Sequence, residues 1–176
     1  MINAYKKLVS NQFESTFCAL AECIKRCPEE EWMAPVVKLK FCQVAFHALF
    51  FADTYLGPNL ISLREQPFHK DNSTVFADYE ELEDLEQKVV YEKSFIENYL
   101  QHCRDKAARV IENETAESLN RNPGFDWLKF PRAEVHVYNI RHIYHHTAQL
   151  ALRLKIDCDV EIPWVSSGWK EIPPVS

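Results

Sequence analysis

Apolar residues recur every three or four positions in four long stretches of the chain, with polar residues between them. The stretches cover residues 3–26, 35–55, 78–112 and 132–155. This spacing places the apolar side chains on one face of an α-helix, whereas a half-buried strand would need strict alternation. The pattern therefore predicts four long amphipathic helices.

Prolines and a glycine mark the ends of these predicted helices. Pro28 ends the first helix, because the residue before a proline is pushed out of the helical region. Pro35 and Pro131 open the second and fourth helices, since a proline in the first turn loses no hydrogen bond. Gly57, which precedes a proline, ends the second helix. The acidic run at residues 80–86 suits the exposed N-terminus of the third helix.

The stretch from residue 57 to residue 77 contains two prolines and several turn-forming residues, which predicts a long connection. A long connection allows a crossover between helices. We therefore expect an all-α protein, a four-helix bundle with a long crossover, in one domain of residues 1–176. The irregular tail, residues 156–176, holds Trp164 and Trp169. We expect it to pack across one end of the bundle or, alternatively, to cover the partner of a homodimer.

The composition is typical of a globular protein and disfavours nucleic acid as a partner. Of the 176 residues, 47% are hydrophobic and 26% are charged, which is ordinary for a packed domain. The formal net charge of −6 leaves no basic excess to neutralise a phosphate backbone. Nucleic acid is therefore not an expected partner. The three glycines form no glycine-rich phosphate-binding motif.

Two observations predict a cytoplasmic protein without a membrane partner. The lysines near the N-terminus are followed by no apolar block of the kind that a secretory signal has. The longest apolar stretch, residues 44–52, includes His47 and is far shorter than the roughly 18 residues that span a bilayer.

Six cysteines are present, and we interpret them as buried, reduced thiols. Most of them lie in predicted helices, and the chain has no Cys-x-x-Cys pair. Cys23 and Cys27 are four residues apart on one helix face, so a catalytic or metal-binding role for this pair is the alternative.

Histidines cluster in the fourth predicted helix, which holds four of the seven in the chain. His142 and His146 are four residues apart, so their rings lie about 40° apart around the helix axis and can point at one object. His145 is the competing second residue, because a spacing of three also places two side chains on one face. His47 lies among apolar residues of the second helix, where an imidazole needs a hydrogen-bond partner or a metal ion.

These histidines make His47, His142 and His146 the candidate ligands of a metal ion. Three imidazoles from two facing helices would leave a coordination position open, as in catalytic zinc sites. Imidazole also suits nickel, iron and copper, and the expected cofactor is a divalent ion, zinc, nickel or iron. The structural alternative is a set of hydrogen-bonded core histidines. The motif after His142 lacks the glutamate of His-Glu-x-x-His, which disfavours a zinc protease of that type.

The two histidine segments resemble those of the DinB/YfiT-like proteins, a superfamily of four-helix bundles with a metal site. His47 matches the family's ligand in helix two, within Phe-His-Ala-Leu-Phe-Phe at residues 46–51. His142, His146 and Gln149 match its last helix, in which a histidine, three residues and a second histidine are followed three residues later by a glutamine. The resemblance extends from about residue 3 to residue 155 and is specific only in these two segments.

The resemblance implies a metal-dependent enzyme that acts on a small molecule. Members include S-transferases and isomerases that use low-molecular-weight thiols, and we expect thiol-dependent S-transfer. Alternatives are metal-dependent hydrolysis and a non-catalytic helical module that the ion stabilises, alone or as a homodimer. Thr147 and Ala148 replace the familiar Arg-Gly, which leaves the ligands intact but the preferred thiol open. Asp53 and Glu134 are candidates for a general base, and neither is favoured.

Overall fold

Helices dominate the computed structural model, which describes residues 1–76 and 89–172. The long helices are α1 (Ile2–Arg26), α2 (Phe41–Leu56), α6 (Lys93–Asn113) and α8 (Arg132–Cys158). The short helices are α3 (Leu60–Glu65), α4 (Pro67–Asp71), α5 (Ser73–Phe76) and α7 (Ala116–Asn120). A 3₁₀ turn (Glu29–Glu31) and an antiparallel hairpin of β1 (Pro35–Val36) and β2 (Leu39–Lys40) precede α2. The predicted helical class is confirmed.

The four long helices surround one buried core. α1 packs against α6 and α8, and α2 packs against the same two helices. The core is rich in aromatic rings, including Phe13, Phe17, Phe46 and Tyr99, each at most 1% exposed. Burying an aromatic side chain of this size contributes about 1.5–3 kcal/mol. In the described part of the chain, no helix is both long enough and apolar enough to cross a membrane.

The second helix begins later than predicted, because residues 35–40 form the hairpin. Pro35 pairs with Lys40 across the hairpin instead of opening a helix, since its fixed φ suits an extended edge as well as a first helical turn. Val37, at the tip, has φ of 58°, a strained conformation for a β-branched residue. The Gln43 side chain accepts a hydrogen bond from the backbone N–H of Lys40 at 2.9 Å and marks the start of α2.

The predicted connection between the second and third helices contains α3, α4 and α5, which the turn-forming residues did not indicate. Of the predicted third helix, residues 78–112, the structure shows α6 over Lys93–Asn113. Residues 89–92 are not helical, and residues 78–88, with the acidic run, lie outside the described residues. Tyr91 is held before α6 by stacking on Phe46 at 3.9 Å and by its carbonyl, which accepts a hydrogen bond from the Trp32 indole at 2.7 Å.

Two sets of hydrogen bonds fix α8 along α2. The guanidinium of Arg132, at the start of α8, donates to the carbonyl oxygens of residues 55–57 at 2.8–3.0 Å. These carbonyls end α2 and lack helical partners, so Arg132 caps the helix. Seven residues later, the buried amide of Asn139 donates to the carbonyl of Ala52 at 3.0 Å. The pairing sets which turns of the two helices face each other.

The tail after α8 lies along α1 and not across one end of the helices. Gly168 donates its N–H to the carbonyl of Asn11 at 2.9 Å, and Cys18 donates to the carbonyl of Lys170 at 3.3 Å. The indole of Trp169 lies under the guanidinium of Arg104, 3.9 Å from the ring centroid. Trp164 is 77% exposed, so only one of the two indoles is covered by the chain itself.

Candidate metal centre

Three histidines converge where α2 and α8 meet: His47 from α2, and His142 and His146 from α8. One ring nitrogen of each lies within 4.8 Å of those of the other two. The ring centroid of His47 is 5.4 Å from that of His142 and 4.6 Å from that of His146. We call these residues the histidine cluster. They are the three histidines that the sequence pattern singled out.

The cluster follows from helix geometry and from the pairing of the two helices. His142 and His146 are one turn apart on α8, and their ring centroids are 4.7 Å apart. Phe51 of α2 packs against both His47 and His142, at centroid distances of 4.8 and 5.2 Å. The hydrogen bond from Asn139 to α2 lies one turn before His142, so it holds this part of the interface.

His145, the competing candidate, lies outside the cluster. Its side chain is exposed, and its Nε2 contacts the amide nitrogen of Gln149 at 3.1 Å. The amide oxygen of Gln149 lies 2.9 Å from Nδ1 of His146. Since an amide oxygen only accepts, the proton of His146 is on Nδ1, which leaves the lone pair on Nε2. Gln149 thus joins His145 to the cluster through His146.

Burial keeps the cluster uncharged near neutral pH. Burial, helped by the neighbouring His146, lowers the pKa of His47 to about 4. Burial and the other histidines lower the pKa of His142 to about 3. Burial also lowers the pKa of His146, although the bond to Gln149 opposes this shift. Neutral imidazole is the form that binds metal ions.

The cluster fits a divalent ion. Nδ1 of His142 is buried and has no hydrogen-bond partner among the described residues, which is costly unless something else binds it. Nitrogens bound at about 2.1 Å to a tetrahedral ion lie about 3.4 Å apart, so the observed 4.8 Å limit requires the ligand atoms to approach each other by no more than about 1.4 Å. Three protein ligands leave a position open for a small molecule.

Two cavities reach the cluster from different sides. The hairpin cavity, of about 600 Å³, lies between the β-hairpin, α2 and the C-terminal half of α8, and it is lined by His47 and His146. The tail cavity, of about 550 Å³, lies between α1, α8 and the tail, and it is lined by His142, His145 and Arg141. Both volumes are in the range of small-molecule sites. The described lining of both cavities includes no aspartate or glutamate.

The sequence did not reveal a buried ion network on another side of α2. Asp53 is fully buried and forms an ion pair with Lys106 of α6. Its Oδ2 also lies near polar groups of Gln66, His69 and Tyr99, at 2.6–3.1 Å. Burial would raise the pKa of Asp53, but the approach of His102 and His69 and the charge of Lys106 hold it well below its usual range. We call this group the Asp53 network.

The network removes Asp53 from the candidates for a general base, because it lines neither cavity and is bound to a cation. Glu134 is exposed in the first turn of α8, about 12 Å along the axis from His142. His69 and His102 both approach Asp53, with Nε2–carboxylate distances of 3.1 and 3.6 Å. An aspartate within the apolar second helix indicates that a buried cation pairs with it. The sequence alone does not identify that cation as Lys106.

A second buried pair, Glu114 and His136, supports the start of α8. Nε2 of His136 is 2.9 Å from the Glu114 carboxylate, which also binds Arg132 at 3.0 Å. Although burial opposes it, these bonds and one from Ser118 lower the pKa of Glu114 to about 2. His136 is therefore a structural residue, and it does not join the histidine cluster.

All six cysteines are free thiols, and all but Cys158 are buried. Cys23 donates to the carbonyl of Thr147 at 3.7 Å, and burial raises the pKa of its thiol to about 12. Burial likewise raises the pKa of Cys27 to about 12. A thiol that stays protonated at neutral pH is a poor nucleophile and metal ligand, so a structural role fits this pair better.

Comparison of the chain with known protein families, with curated proteins and with solved structures gives no match.

Proposed function

We propose that the protein is a divalent-metal-dependent enzyme of the DinB/YfiT-like type, with His47, His142 and His146 as the metal ligands. The single observation that carries the proposal is the convergence of three neutral imidazoles at the wall of two cavities. The four long helices, with ligands from α2 and α8, agree with a DinB-like four-helix bundle. Zinc, nickel and iron all suit three imidazoles.

The ion, when bound, would lower the pKa of a thiol or water that reaches its open position. The chain supplies the rest of the site. His47 and the two histidines of α8 hold the ion between the helices, and Gln149 keeps the proton of His146 on Nδ1. The two cavities give small molecules access to the ion from different sides.

Thiol transfer is the activity that we favour over hydrolysis. A free thiol has a pKa near 8.5, so a modest lowering of this pKa ionises the thiol at neutral pH. The pKa of water is 15.7 and must be lowered much further. Hydrolysis by such a site often uses a carboxylate base as well. The absence of a carboxylate from the described lining of both cavities therefore favours a thiol nucleophile. The thiol proton would go to solvent, sulfur would bond to the electrophilic carbon, and the leaving group on that carbon would depart with the electron pair of the bond that breaks.

The experiment has two stages. Elemental analysis of untagged protein first measures bound metal, and the ion is then removed with a chelator and restored. Metal-loaded protein should accelerate conjugation of a small thiol to an electrophile, and metal-free protein should not. Several thiols should be compared, because Thr147 and Ala148 differ from the familiar family residues. Hydrolysis without thiol consumption would support a hydrolase instead, and metal-dependent stability without turnover would support a structural module or homodimer.

A further inference from the structure

The hairpin cavity combines an apolar wall with positive charge. Its apolar lining comes from the hairpin and from the last turns of α8, and it includes Val37, Leu152 and Ile156. These three side chains are 94%, 61% and 69% exposed, so water contacts the apolar side chains at the rim. Exposed apolar surface that borders a cavity of ligand size is typical of a binding site.

The charges in this cavity have one sign. Lys38 and Arg153 line it, and its described lining contains no acidic residue, although the whole chain has a net charge of −6. Asp157 offsets part of the Arg153 charge, but a lining with cationic side chains and no acidic one favours an anionic ligand. The cavity therefore matches a molecule that is apolar along most of its length and carries a negative charge.

Arg153 locates where the negative charge would bind. One end of its guanidinium, Nη1, pairs with Asp157. Its Nε is buried and has no hydrogen-bond partner among the described residues. A buried donor without a partner is unfavourable by about 1–3 kcal/mol, and a carboxylate would satisfy it with a charge-assisted bond.

The spacing along α8 relates Arg153 to the histidine cluster. His146, Gln149 and Arg153 all line the hairpin cavity. Arg153 follows His146 by seven residues, or about 10.5 Å along the helix axis. A ligand of medium length can therefore bind Arg153 at one end and approach the cluster with the other.

We propose that the hairpin cavity binds an amphipathic monocarboxylate, with the apolar part against Val37, Leu152 and Ile156 and the carboxylate on Arg153. This makes a carboxylate with an apolar chain the substrate class of the site. The assignment as a substrate rests on the proposed function, whereas the binding itself requires no metal.

The test compares octanoate with 1-octanol, which has the same chain without the charge. Binding is measured by isothermal titration calorimetry on metal-free and on metal-loaded protein. We expect octanoate to bind at least about tenfold more tightly than 1-octanol in both forms. Arg153→Gln should weaken octanoate binding by about tenfold or more and leave 1-octanol binding unchanged. Arg109→Gln, on the exposed surface of α6, is the matched control and should change neither.

A second variant tests the apolar wall. Leu152→Ser should weaken the binding of both probes, because it removes apolar surface without touching the charge. Leu152 is largely exposed, so this substitution does not threaten folding. Circular dichroism and thermal unfolding verify that each variant is folded.

Three results would overturn the inference: no octanoate binding, equal binding of octanoate and 1-octanol, or an Arg153→Gln variant that binds octanoate like the original protein. A dimer that Leu152→Ser dissociates, in protein that binds no octanoate, would mean that a second copy covers the rim instead. A protein that binds octanoate but no metal would support this inference and contradict the proposed metal site, so the two failures are distinguishable.

Discussion

Nδ1 of His146 donates a hydrogen bond to the amide oxygen of Gln149 over a distance of 2.9 Å. The two residues are three positions apart on α8, so the helix backbone itself keeps them in contact. The bond fixes the ring orientation and leaves the Nε2 lone pair of His146 for a ligand. Residues that orient a metal-binding imidazole in this way contribute strongly to affinity.

We therefore predict that Gln149→Leu weakens metal binding about 10- to 100-fold. Leucine keeps the approximate size of the side chain but cannot accept the proton of His146. The measurement is competition with a chromophoric chelator at fixed pH. Gln101→Leu is the matched control, because Gln101 contacts Asp105 on the exposed face of α6. Equal affinities in the two variants would contradict the role of Gln149.

Removal of a proposed ligand should have a larger effect. His146→Ala should abolish stoichiometric metal binding, whereas His102→Ala should retain it, because His102 faces Asp53 and not the cluster. Metal content after dialysis against the ion, measured by elemental analysis, tests both variants. If His145→Ala alone abolished binding, the assignment of His146 as the ligand would be wrong.

The metal-free protein should lose stability in mild acid. His47 and His142 have pKa values of about 4 and 3 in the folded protein, below the value of about 6.5 expected after unfolding. Between these values the unfolded chain binds protons that the folded protein does not, so the free energy of unfolding falls as the pH drops below 6.5. We expect each of these two histidines to contribute a loss on the order of 2 kcal/mol between pH 7 and pH 5.

Urea unfolding at pH 5, 6 and 7 measures this dependence in chelator-treated protein. His142→Gln removes one of the titrating groups and should make the loss smaller. Identical pH dependence in the original protein and in this variant would show that His142 does not titrate as described.

Disruption of the Asp53 network should lower the stability of the fold and leave the metal affinity unchanged. Lys106→Met leaves the buried Asp53 carboxylate without its ammonium partner, and removing one member of a buried ion pair costs about 3–5 kcal/mol. Metal affinity of the folded variant should be unchanged, since neither residue lines the cavities at the cluster. Chemical unfolding and metal titration on the same preparation test both statements.

Arg121→Met is the control for this prediction. Glu117 of α7 and Arg121, directly after α7, form an exposed pair, and exposed pairs contribute little to stability. If Lys106→Met were as stable as this control, the ion pair of Asp53 would not be structural.

The sequence by itself determined the local part of the structure. Apolar periodicity located α1, and Pro131 located the start of α8, each to within a residue, because both signals lie in neighbouring positions of the chain. The same local geometry placed His142 and His146 on one face. Both results depend only on residues within a turn or two of each other, so no knowledge of the fold was needed.

Only the tertiary structure decided features that join distant residues. Pro35 is compatible with a helix start and with an edge strand, and contacts beyond its neighbours select the hairpin. The stacking of Tyr91 on Phe46 likewise joins the segment before α6 to α2, across 45 positions of sequence. Spacing could not separate His145 from His146, and the pairing of Asp53 with Lys106 could not be foreseen. In each case the outcome depends on which helix faces lie together, and that is a property of packing in three dimensions.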